Sequence, residues 1–289
     1  MEPSISQIVQ SDSRIFYNYS TIRITQSRID KGLIAIPMAL VSWFPEYNTS
    51  IQVYLDDSLL PKTKTYTSYK SSTHESRIGG LAEWFRKNDI RDGDEIVIQL
   101  IDRANHIYRL IPERNFLVKT QVLQKDFDRS EDETEASDKI ENLAEWTNSE
   151  KGMAVFSEYS RLIEATAVQE REYVDRSFSQ AREGVPNNLR VLLRAIYKGH
   201  CQLCGFTFLK RDNTPYFEIH HIHPSIGNHP KNLAVVCANC HRQFEYANVH
   251  QEFTKDGWLR RVFFNNKEYS VNQVVLTKEF ENYIKHTYT

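Results

Sequence analysis

Only four cysteines occur in the 289 residues, and they fall in two pairs of identical spacing, Cys201-Gln-Leu-Cys204 and Cys237-Ala-Asn-Cys240. Two C-x-x-C pairs in one short segment match a tetrahedral Zn²⁺ site of four thiolates, which leaves no open position and is therefore structural. The same residues could form two disulfides, but this spacing beside histidines argues for metal and for a reducing interior. A segment this short has little core of its own, so a metal clip would hold its ends.

Between and after the pairs stand Glu218-Ile-His220-His221-Ile-His223-Pro224, then Asn232-Leu233, then His241 directly after the last cysteine. A plain zinc ribbon that only holds a fold or a partner requires none of His220, His221, Asn232 and His241. The interleaving resembles the HNH nuclease family over roughly residues 195–250. The resemblance implies a ββα-metal fold, with a strand over 217–223, a loop over 225–231, a return from Asn232 and a helix starting near Cys240.

It also implies roles. His221 would be the general base, since an imidazole with a pKa near about 6.5 can take a proton from water around neutral pH. His220 and His241 would hold a catalytic divalent ion, and Asn232 would hold the loop and orient the His221 ring. Many members carry a further histidine four residues after the helix histidine; here that place is Glu245. Glu245 is either a third ligand, direct or through water, or a surface acid. Neighbours on an ideal strand face opposite ways, so His220 and His221 cannot both face one site unless the strand ends or twists there. Two imidazoles favour Mn²⁺, Co²⁺ or Ni²⁺ in affinity, and abundance favours Mg²⁺. Glu218, two residues before His220, is expected to brace the hairpin rather than ligate; His223 is expected to pack or touch phosphate.

The length allows two domains, and 40% hydrophobic with 26% charged residues is ordinary for a soluble globular protein. No apolar run approaches the ~20 residues of a membrane span. The start, Met-Glu-Pro-Ser, lacks a basic segment followed by an apolar core, so a cytoplasmic location is expected. Net charge is -2, unevenly spread. Residues 1–125 carry 16 Lys/Arg against 14 Asp/Glu, residues 126–184 carry 7 against 16, and residues 185–289 carry 13 against 8. Two mildly basic ends flanking an acidic middle are compatible with two DNA-contacting modules.

The amino-terminal third alternates apolar and polar residues in Thr21-Ile-Arg-Ile-Thr, Gly32-Leu-Ile-Ala-Ile-Pro, Ile51-Gln-Val-Tyr-Leu-Asp and Glu95-Ile-Val-Ile-Gln-Leu-Ile, with a short helix over 80–89. Short strands plus one small helix predict a barrel- or sandwich-like domain. Ile34, Ile36, Pro37, Trp84, Phe85, Asn88, Ile90, Gly93, Asp94 and Ile96 give it a resemblance to B3-type DNA-binding pseudobarrels over about 15–120. Related pseudobarrels are recognition domains of some restriction enzymes. The resemblance implies two arms clamping the major groove, one over about 25–31 and one over about 62–77. Candidate contacts are Arg23, Gln26, Arg28 and Lys31 in or beside the first, and Lys62, Lys64, Tyr66, Ser68, Tyr69 and Lys70 in the second. The other reading of the second run is a solvated hairpin.

Residues 126–137 have linker composition, and residues 139–183 carry apolar positions at helical spacing, including Val174 and Phe178, which predicts two or three amphipathic helices. A short helix is expected over 189–198, an antiparallel strand pair over 258–264 and 268–271, and a closing helix over 275–288. The expected fold is therefore α+β and multidomain: a B3-like domain over 1–125, a helical connector over 126–186 and an HNH module with a four-cysteine zinc over 187–289. The expected activity is site-specific, restriction-type cleavage of double-stranded DNA by a homodimer, using structural Zn²⁺ and catalytic Mg²⁺ or Mn²⁺. Two alternatives are a nuclease dependent on a methylated base and a non-catalytic DNA-binding regulator; cleavage of methylated but not plain DNA, or intact duplex, would distinguish them.

Overall fold

In the computed structural model, which describes residues 15–71, 74–166, 173–176, 179–182 and 184–277, the amino-terminal region is built on period-two alternation. Strands β1 (Ser20–Arg23), β2 (Ile34–Ala35), β3 (Thr49–Leu55), β4 (Lys62–Thr67), β5 (Arg77–Ile78), β6 (Glu95–Asp102) and β7 (Ile107–Pro112) form one nearly closed, barrel-like sheet in the order β1-β6-β7-β3-β4-β5-β2. The β3–β7 pair is parallel and the other neighbours are antiparallel. Ile22, Ile51, Val53, Ile96, Ile98 and Tyr108 point into its core. The barrel expected from the alternation is thus present.

Two short helices complete this body, α1 (Gln26–Lys31) and α2 (Ala82–Lys87). Trp84 and Phe85 of α2 are buried, and the Trp84 indole donates to Asp56 Oδ2 at 3.1 Å. Gly32 ends α1 at φ +61°, and a Cβ there would sit 2.8 Å from that of Ala82, so only glycine fits.

Compactness divides the chain into Met1–Val122 with Trp146–Asn148, and Leu123–Glu145 with Ser149–Thr289. Helix α3 (Glu113–Asp128) leads from the first into the second. The second contains α4 (Glu133–Thr147) for most of its length, α5 (Lys151–Ala165), the hairpin β8 (Tyr173–Arg176) and β9 (Ser179–Arg182), and α6 (Asn187–Tyr197). Then come β10 (Glu218–His221), β11 (Leu233–Val236), α7 (Ala238–Tyr246), and the three-stranded sheet β12 (Val249–Phe253), β13 (Leu259–Phe264) and β14 (Lys267–Ser270).

Several expectations are corrected here. The acidic run 126–137 is the end of α3 and the start of α4 rather than a linker, and three of its acids, Asp128, Glu133 and Glu135, are paired with cations. Asp128 and the fully buried Glu158 share Arg161, while Glu133 takes Arg190 and Arg194. Glu133 and Glu135 in the first turn of α4 also suit the positive end of the helix dipole. The predicted helical segment stops at Ala165, and Val174 lies in β8; two apolar positions four apart were too few to define a helix. Phe178 lies outside the described residues. β12 was not foreseen, since Val-His-Gln-Glu-Phe hardly alternates. Of the expected closing helix, Val274–Leu276 is one 3₁₀ turn and 278–288 lie outside the described residues.

Candidate active site

Cys237 caps the start of α7, its sulfur accepting from Cys240 N at 3.4 Å. That places Cys237 and Cys240 one helical turn apart, facing the turn that carries Cys201 and Cys204. The four Sγ atoms lie within 4.8 Å of one another, and Cys204 Sγ is 3.7 Å from Cys237 Sγ. A ZnS₄ tetrahedron with bonds of about 2.3 Å has edges of about 3.8 Å, so the cluster has the dimensions of a zinc site. All four cysteines are free thiols. A hydrogen bond between Cys201 and Cys240 lowers the Cys201 thiol and raises that of Cys240, so in the absence of a cation the two share a proton. Among the described residues this is the one tight group of three or more metal-ligating side chains.

β10 and β11 pair in antiparallel register, His220 opposite Ala234 and His221 opposite Leu233. The strand is regular and ends at His221, so the two rings leave on opposite sides. His220 stacks on Phe244 of α7 (centroids 3.9 Å, 15°) and meets His241 edge-on at 5.2 Å. Burial, together with the neighbouring His241 and His221, pushes His220 down to about 4, so it is neutral near pH 7 with a lone pair to offer. His241 Nδ1 is hydrogen-bonded to Glu218 Oε2, and the Tyr216 hydroxyl donates to Glu218 Oε1. Although burial opposes it, those two hydrogen bonds hold the Glu218 carboxyl below its ordinary range.

His221 is 9% exposed and its Nε2 lies 2.9 Å from Asn228 Oδ1. Asn228 donates its amide to Gly184 O at 2.9 Å, which turns its oxygen to the ring. In the neutral imidazole Nε2 then carries the proton and Nδ1 is the basic nitrogen. Asn232 is buried and ties the loop shut. Its oxygen accepts from His223 N, and its amide donates to the carbonyls of His223, Ile226 and Gly227 at 3.0–3.1 Å. Asn232 is thus bonded to the loop backbone, and the His221 ring is hydrogen-bonded to Asn228 instead, because the Asn232 amide is engaged by three loop carbonyls.

Glu245 accepts from Arg242 at 2.5 Å, and its charge acts on His220 against the effect of burial. His223 stacks on Phe253 at 5.5 Å, and His229 caps a 3₁₀ turn, its Nδ1 accepting from Lys231 N. Asn228 escaped the sequence reading, since nothing in its surroundings marks it before the loop closes. Glu218 left a signal: as i−2 of His220 it must share that face of the strand.

The candidate DNA contacts of the barrel fare unevenly. Tyr66 is 2% exposed, stacked on Phe44 at 5.2 Å, and Ser68 is 2% exposed and donates to Glu46 O at 2.8 Å. Both are corrected to interior residues, because Lys62–Thr67 is a sheet strand rather than a free arm. The first arm is likewise helix α1. Lys64 is hydrogen-bonded to Gly80 O, Arg28 to Glu75, Gln26 to Asp30 and Lys70 to Glu46. Arg23, Lys31, Lys62 and Tyr69 remain exposed.

One pH effect follows. His220 has a folded-state pKa of about 4 against about 6.5 unfolded, so the unfolded chain binds the extra proton between those values. With the four-cysteine site loaded and no divalent ion on His220, its contribution is complete above pH 6.5 and is lost as pH falls toward 4, by up to about 3 kcal/mol. Urea unfolding of the wild type and His220→Asn across this window should show a shallower acid loss in the variant; parallel curves would refute the assignment.

A strand pair and a helix clamped by four thiolates, with two imidazoles facing the helix side and a third held by an amide, define a ββα unit with a candidate metal centre. Residues 201–245 match the family model described as HNH endonuclease. Among solved structures the chain is similar to an Arabidopsis FUS3–DNA complex, at 13% identity and TM-score 0.27, over 32% of this chain and 92% of that one. No curated protein matches the chain significantly.

Proposed function

We propose that this chain is a site-specific endonuclease of the restriction type acting on double-stranded DNA, with 187–289 as its nuclease module. The observation that carries the reading is the His221 imidazole, fixed by Asn228 at the end of the strand whose other side presents His220 to His241. The match of residues 201–245 to the HNH endonuclease family supports it.

His221 acts as general base: Nδ1 takes a proton from water, whose oxygen attacks the scissile phosphorus. The 3′ oxygen leaves, so the products are a 5′ phosphate and a 3′ hydroxyl. His220 and His241 would hold the catalytic Mg²⁺ or Mn²⁺, with Glu245 as a third ligand on release from Arg242. Such an ion, when bound, polarises the phosphodiester and stabilises the leaving oxygen. Asn232 keeps the loop closed so that His221 and Asn228 stay in register. Zn²⁺ in the four-cysteine cluster supplies stability alone.

Recognition is assigned to the barrel, through Arg23, Lys31, Lys62 and Tyr69, and through Gln26, Arg28, Lys64 and Lys70 if duplex replaces their internal partners. One site cuts one strand, so a double-strand break calls for a homodimer. The test is incubation of a mixed duplex pool, plain and methylated, with Mg²⁺ and with Mn²⁺, followed by sequencing of the ends. Recurrent 5′-phosphate ends in plain DNA are expected. Intact duplex with both ions would overturn the reading in favour of a DNA-binding regulator.

A further inference from the structure

We propose that Glu218, held by Tyr216, is a positioning residue that fixes the ring of His241 for cation binding and is not itself a ligand. The inference rests on the reading of His220 and His241 as the ligands of the catalytic ion. Period two along β10 puts Glu218 and His220 on the same side, and His241 reaches that side from the first turns of α7. Both carboxylate oxygens are engaged: Oε1 accepts from the Tyr216 hydroxyl and Oε2 meets His241 Nδ1. An ionised carboxylate can only accept, so Nδ1 must be the protonated nitrogen, and the lone pair of the neutral ring falls on Nε2. Metal-ligating histidines characteristically give their other N–H to a carboxylate, which fixes tautomer and ring orientation and raises basicity.

The brace continues outward. The Tyr216 ring stacks on Phe208 at 4.9 Å and 19°, and Phe208 lies 6.0 Å from Phe206, two residues beyond Cys204. Arg242, the cation on the same helix, is hydrogen-bonded to Glu245 and acts on Glu218 through its charge. The segment that follows the first zinc pair therefore ends in the hydroxyl that holds the carboxylate that holds His241. Phe208 is 46% exposed, so the stack is held by the ring contact with Tyr216 rather than by deep burial.

The experiment titrates Mn²⁺ calorimetrically into zinc-loaded wild type, Glu218→Ala, Glu218→Gln and Tyr216→Phe. In parallel, ¹⁵N chemical shifts give the His241 tautomer in the manganese-free proteins. Glu218→Ala should weaken Mn²⁺ about 10–100-fold with zinc content and melting unchanged. Glu218→Gln should lose only a few-fold, because its amide oxygen still accepts from Nδ1–H while its NH₂ turns to the Tyr216 oxygen. Tyr216→Phe should fall between. Nδ1 should be protonated in wild type, and Glu218→Ala should mix the tautomers. A Glu218→Gln loss as large as that of Glu218→Ala would make Glu218 a ligand and overturn the proposal. Unchanged affinity in Glu218→Ala, or a wild-type His241 protonated on Nε2, would overturn it too. Absence of any manganese site in wild type would instead bring down the nuclease reading, and this proposal with it.

Discussion

Replacing His221 by alanine is expected to slow strand cleavage by about 10²–10⁴-fold, the usual cost of losing a general base. The site explains why the loss should be chemical rather than structural. His221 is the last residue of β10, its backbone stays paired with Leu233, and the loop beyond it is tied by four hydrogen bonds of Asn232. Removing the ring leaves Asn228 without its imidazole partner, a cost of about 1 kcal/mol, and leaves the zinc cluster untouched. Zinc content and duplex affinity should therefore be unchanged while the rate collapses. Cleavage at the original rate would exclude His221 as the base, and joint loss of zinc and activity would mark it as a folding residue.

The second large effect concerns the cysteines. Cys240→Ala should abolish zinc binding and unfold the ββα unit. Its core, Leu203, Ile222, Ala234, Val236, Leu259, Val262 and Phe264, packs directly on Cys201, Cys237 and Cys240. Structural zinc contributes on the order of 10 kcal/mol to small domains, comparable to the whole net stability of roughly 5–15 kcal/mol of a typical protein. The variant should lose amide protection at Val235 and Val236 of β11 and at His241 of α7, and a chelator should do the same to wild type. Full protection in the zinc-free variant would show that the fold stands without metal.

How far the amino-acid order foretold this depended on where each residue's partners lie. Cysteine spacing brings its own geometry, and the alternation in 49–55 and 95–102 needs only neighbours, so the four-thiolate cluster and the barrel-like sheet were legible. Glu218 and Asn228 were not assigned their contacts, because these exist only once α7 and the 223–232 loop have closed. Tyr66 and Ser68 misled: in a strand reading Lys-Thr-Lys-Thr-Tyr-Thr, polar composition hides that every second side chain turns inward near its end. Asp128 and Glu133 misled in the same way, since Arg161, Arg190 and Arg194, which neutralise them, lie at least 30 positions on.

The central claim is that one divalent ion sits between His220 and His241 while His221 acts as the base on water and not as a ligand. Anomalous diffraction from manganese-soaked crystals, recorded at the zinc and manganese edges, tests it directly. Zinc should appear among Cys201, Cys204, Cys237 and Cys240, and manganese bonded to His220 and His241 with none on His221. Manganese coordinated by His221, or no second peak at saturating Mn²⁺, would contradict it.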